Sequence, residues 1–107
     1  MVRTTTDYIM AVKACEGRRV VLLDEDWVHI RFRHPEVGPA TVPLSKALTQ
    51  PDVAYRDGRG RIHALRGFDE RHFLVVICEQ TNDEGVVRTA YLTSIKRKDG
   101  CIGDYSA

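Results

Sequence analysis

The chain lacks a hydrophobic run long enough to span a bilayer. Its longest, FLVVIC at Phe73–Cys78, falls far short of the roughly 20 apolar residues a transmembrane helix needs. The first residues, MVRTTTDYIM, have no basic segment followed by an apolar one, so no secretory signal is expected. Cysteine is scarce. Cys15, Cys78 and Cys101 form no CxxC pair and leave one thiol over, which argues against a disulfide framework and against a cysteine zinc site. A reducing compartment fits better, and the expected location is the cytoplasm. Net charge is missing too. With Lys and Arg at 16 and Asp and Glu at 15, the chain carries only +1, so no global positive field advertises nucleic acid. An anionic partner would have to be met by a local patch. Repeats and low-complexity tracts are also absent.

What is present is an ordinary globular composition: 107 residues, 43% hydrophobic and 29% charged. One domain over residues 1–107 is expected, long enough to bury a core without metal or disulfides. Residues 1–17 read as an N-terminal extension that could be helix or strand, closed by Gly17. RRVVLLD, Arg18–Asp24, reads as a short strand. Asp24 or Asp26 can cap a following helix, whose apolar stripe is Trp27 and Ile30 and which Pro35 stops at or before His34. EVGPA, Glu36–Ala40, reads as a loop. Thr41 or Ser45 can begin a second helix with Leu44, Ala47 and Leu48 inward, and Pro51 ends it.

From Val53 the texture changes. VAYRD, RIHALRGF, HFLVVICEQ and VVRTAYLTS are rich in β-branched and aromatic residues, and DGRG, DER and NDEG between them suit hairpin turns. Four strands with short links predict an antiparallel meander. HFLVVICEQ is apolar nearly throughout and should be central. In VVRTAYLT, period two places Val87, Thr89, Tyr91 and Thr93 on one face and Arg88, Ala90 and Leu92 on the other. The tail, residues 98–107, is expected to be exposed. The class is α+β: a short strand and two helices packed on an antiparallel sheet of four to five strands.

Two motifs carry the chemistry. One is W-x-H-I-x-x-R-H-P-E, formed by Trp27, His29, Ile30, Arg33, His34, Pro35 and Glu36. The other is an apolar strand, Leu74–Ile77, followed by Thr89, Ala90, Tyr91 and Thr93. A-L-x-x-P-D-x-x-Y-R, Ala47–Arg56, lies between. In order and spacing the chain resembles, over roughly residues 18–97, the small phage and bacterial domains of the Barnase–EndoU–colicin–RelE (BECR) class. The resemblance implies helices on one face of the sheet and an active surface built from the first helix and the later strands. It further implies a metal-independent, cofactor-free endoribonuclease, acting as a toxin or phage effector. RNA, including structured RNA such as tRNA, would be the substrate, and a cognate inhibitor protein the partner. Many relatives have aromatic residues where His63 and Ala64 stand here, and the segment before Gly17 has no counterpart.

Such cleavage uses the 2′-hydroxyl of the RNA as nucleophile and needs a base, an acid and donors for the charged transition state. Histidine suits proton transfer near neutrality, and arginine's fork suits phosphate. His29 and Arg33 are four residues apart and share a helix face. His29 reads either as acid/base or as a surface histidine. His34, seven residues after Trp27, continues the apolar stripe and reads either as a helix-terminal residue or as a second catalytic histidine. Thr89 and Tyr91 would position phosphate, with Thr93 on the same face and Arg56 as a further phosphate ligand. The four histidines, His29, His34, His63 and His72, match no metal-ligand spacing, and Cys78 reads as a small core hydrophobe. A non-catalytic RNA- or protein-binding module on the same scaffold is the alternative reading.

Overall fold

The computed structural model describes residues 8–81 and 84–94. In chain order these form β1 (Tyr8–Lys13), β2 (Arg19–Leu23), α1 (Asp24–Arg33), a 3-10 turn at Pro35–Val37, α2 (Val42–Thr49), β3 (Val53–Arg56), β4 (Ile62–Gly67), β5 (His72–Gln80) and β6 (Glu84–Ser94). The class is α+β, with two helices on one mixed sheet. The sheet has six strands in the order β1-β2-β6-β5-β4-β3, not the expected four to five. Two things enlarge and mix it. The ambiguous N-terminal segment is a strand, β1, hairpinned onto β2 with Val12 opposite Val20. β2 then lies parallel to β6, Val20 beside Gly85 and Val21 beside Val86. The meander itself is antiparallel throughout, with β5 between β4 and β6.

The helices begin differently from expectation. β2 runs straight into α1, so the N-cap position falls on apolar Leu23 and no side chain caps the first turn. Asp24, Glu25 and Asp26 lie inside that turn, and Arg31 and Arg33 lie in the last, where both sets suit the helix dipole. α2 begins at Val42, and Thr41 in front of it makes no side-chain cap bond. Pro35–Val37 is a 3-10 turn rather than plain loop, held by Val37 N–H donating to His34 O at 3.0 Å, and it buries Val37 at 1% exposure. Gly38 after it has φ +105, a left-handed conformation that glycine adopts without strain.

The main core lies between the helices and the sheet. Trp27 and Ile30 of α1, and Leu44, Ala47 and Leu48 of α2, pack with Val20, Leu22, Ala64, Leu74, Val76, Cys78, Val87 and Ala90. Burying each large aliphatic side chain here stabilises the fold by roughly 1.5–3 kcal/mol. On the opposite face Leu65, Val75 and Ile77 form a smaller cluster, fenced by Val53, Tyr55, Phe73 and Tyr91.

A bulge corrects the expected alternation of β6. Ile77 faces Thr89 but the next residue, Cys78, faces Val87, so β6 carries one extra residue at Arg88. Val87 therefore joins Ala90 in the helix-side core, while Tyr91 belongs to the opposite cluster. The expected tail, 98–107, lies outside the described residues. Among the described residues no helix is long and apolar enough to cross a membrane.

Ile30 is fully buried whereas Phe32, two residues on, is 82% exposed. Ile30→Ala should lower unfolding free energy in urea by roughly 2–5 kcal/mol, and Phe32→Ala should change it by about 0.5 kcal/mol or less.

Candidate active site

β2 pairs with β6 only through Glu84, Gly85 and Val86. Beyond Val86 that edge of β6 has no strand beside it among the described residues. α1 and the 3-10 turn lie along it instead, and this brings the two sequence motifs together. The ring of His34 packs on that of Tyr91, centroids 5.8 Å apart and planes tilted by 43°. One helix length away, Arg88 donates from Nη1 to Asp26 Oδ2 at 3.2 Å and its Nε lies 3.4 Å from Glu79 Oε1. Burial raises the Asp26 carboxyl above its usual value, and the Arg88 guanidinium beside it opposes that rise.

His34 is placed by its own segment. Its backbone N–H donates to Ile30 O at 2.7 Å, ending α1, and Pro35 bars further helix. Its Nδ1 lies 3.3 Å from Glu36 Oε2, and the side chain stays one-third exposed. With Nδ1–H donating to the carboxylate, Nε2 of the neutral ring carries the lone pair. A carboxylate-oriented imidazole beside a phenol is an arrangement able to move a proton.

The other candidate residues are spread more widely. Thr89, Tyr91 and Thr93 are half-buried on β6. His29 and Arg33 are exposed on α1. It is His34, not His29, that the fold carries to Tyr91. Arg56 stands at the end of β3, where Nη1 donates to Gly60 O at 3.1 Å, with β4 and β5 between it and β6.

A second ionisable group of residues was not singled out from sequence. Asp57 Oδ2 lies 2.8 Å from His63 Nε2, and His63 Nδ1 lies 3.2 Å from the Tyr55 hydroxyl. The Tyr55 and His63 rings also stack, with centroids at 4.6 Å. Asp57 Oδ1 accepts from the backbone N–H of Arg59 and of Arg61, which folds the DGRG turn. The His63 bond and those two N–H bonds hold the Asp57 carboxyl far below the usual carboxylate range. The signal was present: a hairpin closed by DGRG pairs Tyr55 with His63, which sets a phenol ring beside an imidazole. His63 and Thr89 are both opposite Ile77 on its two sides, so about 10 Å separates their backbones.

Among the described residues no three of His, Cys, Asp and Glu are grouped to hold a metal ion. Cys78 lies in the core, and burial pushes its thiol up to about 12, leaving it protonated at neutral pH. In comparisons with models of protein families, with curated proteins and with solved structures, the chain matches none.

Because Asp57 is held low in the folded chain, its ionised form adds stability above the ordinary carboxylate pKa of about 4. That contribution is lost as pH falls from there toward the folded value. Urea midpoints measured from about pH 6 downward should fall more steeply for the wild type than for Asp57→Asn. Parallel curves would remove the Asp57–His63 bond as a source of acid sensitivity.

Proposed function

We propose that this chain is a metal-independent endoribonuclease of BECR type, with its proton-transfer centre at His34. One observation carries the reading: the ring of His34 in the first motif packs on Tyr91 of the second, with Glu36 against its Nδ1. Residues 57 positions apart in sequence thereby form one carboxylate–imidazole–phenol cluster at a surface edge.

The reaction follows from RNA chemistry. The 2′-hydroxyl oxygen bonds to the adjacent phosphorus, and the bond from phosphorus to the 5′ oxygen breaks. The products are a 2′,3′-cyclic phosphate and a 5′-hydroxyl. His34 Nε2 takes the 2′ proton, and the leaving 5′ oxygen receives one from water. Glu36 holds the other ring nitrogen, Nδ1, through its carboxylate. The hydroxyls of Thr89 and Tyr91 donate to the non-bridging oxygens, with Thr93 further along the strand. Arg33 on α1, and more distantly Arg56, supply charge for flanking phosphates. A toxin or phage-effector role with a protein inhibitor, and a structured RNA substrate, belong to the same reading. The alternative, a non-catalytic binding module, is favoured by one observation, the exposure of His29 on α1.

Purified protein incubated with total RNA in EDTA should cleave it, leaving cyclic phosphate ends. His34→Ala should slow cleavage by about 10²- to 10⁴-fold, and His29→Ala by only a few-fold. A larger loss in His29→Ala than in His34→Ala would move the acid/base role to His29. Intact RNA retained on wild-type protein, with no cleavage of any RNA offered, would sink the nuclease reading and leave the binding module.

A further inference from the structure

α1 is apolar on two sides. Trp27 and Ile30 face the core, but Val28 and Phe32 are 59% and 82% exposed on the outer side. Residues four apart on a helix lie one turn above the other, so Val28 and Phe32 form a single outward ridge. A helix that needs only one apolar stripe to dock on its own sheet has a second in excess. Phe32 is the most exposed large hydrophobic among the described residues.

The charges around the ridge are arranged end to end. Asp24 and Glu25 stand in the first turn, and Arg31 and Arg33 in the last. Asp26, the third acid, is already held by Arg88. Among the described residues Asp24, Glu25 and Arg33 make no ion pair, and Arg31 lies only over the Trp27 ring at 6.0 Å. Glu25 and Arg33 stand about two turns apart on one flank of the ridge, Glu25 before Val28 and Arg33 after Phe32 along the helix. Turning this helix end over end brings acid onto base and the ridge onto itself. A surface that complements itself under a two-fold rotation is what a symmetric dimer interface requires.

We propose that this chain forms a two-fold symmetric homodimer through the outer face of α1. The two helices lie antiparallel, with Phe32 and Val28 of each copy at the centre. Glu25 of each copy meets Arg33 of the other. A helix of ten residues spans only about 15 Å, so the buried area sits at the low end for specific association. The dimer is accordingly weak, in the micromolar range, and loosens as salt screens its outer charges.

Analytical ultracentrifugation of the full chain from about 1 to several hundred µM at low salt tests this. The wild type should show a monomer–dimer equilibrium. Phe32→Ser should abolish it while leaving the thermal melting curve unchanged, because Phe32 contributes nothing to the core. Glu25→Arg and Arg33→Glu should each weaken the dimer by tenfold or more, since each sets like charges against each other. The doubly exchanged Glu25→Arg/Arg33→Glu chain should recover it, because both intersubunit pairs are restored with signs reversed. A wild type that stays monomeric over the whole range would overturn the proposal. So would a dimer that survives Phe32→Ser, or a double variant no tighter than the single ones.

Discussion

β2 hydrogen-bonds in parallel to the first three residues of β6 and stops at Leu23, where the chain turns directly into α1. That short pairing leaves the rest of β6 without a strand on that side among the described residues, and α1 has no linker with which to lie elsewhere. The helix must run beside β6, burying Trp27 and Ile30 over Leu22, Val87 and Ala90. Its end, His34, must then arrive at Tyr91. The candidate site is thus a consequence of where one strand ends. A longer β2 would cover the edge that His34 now reaches around.

The bulge at Arg88 is the second determinant on the same strand. A regular β6 would put Val87 with Thr89 and Tyr91 and lose a fully buried aliphatic side chain from the helix-side core. The extra residue returns Val87 to that core and frees Arg88 to pair with Asp26 on α1 and Glu79 on β5. Packing and polar contacts to α1 are satisfied together. Exposed pairs of this kind contribute little stability individually; their role here is to fix where α1 sits along β6.

The histidines show how local sequence and pairing each supply a carboxylate. His34 has Glu36 two residues on, and His72 has Asp69 three residues back, Nδ1 to Oδ1 at 2.9 Å. Both pairs form within a single turn. His63 meets Asp57 across a hairpin and stacks on Tyr55 by strand register. Among the described residues only His34 combines a carboxylate with a residue from a distant segment, which is why the proposed proton-transfer centre lies there. His29 differs again, exposed on the side of α1 that also bears Phe32.

The sequence by itself determined the α+β class, both helices, the central place of β5 and the inward residues Trp27, Ile30, Leu44, Ala47 and Leu48. Hydrophobic period and proline position act within a dozen residues, so they are readable along the chain. It did not determine that Tyr8–Lys13 is a strand, since its pattern suited helix as well and β2 had to be present to decide. It could not show the parallel β2–β6 pair, because hydrogen bonds between strands some sixty residues apart leave no local mark. The Arg88 bulge was equally hidden: period two assumes a regular ladder, and only the packing of Val87 required the break. The choice of His34 over His29 as neighbour of Tyr91 belonged to the tertiary structure for the same reason. Both residues have suitable chemistry, and only the direction in which α1 docks on β6 separates them.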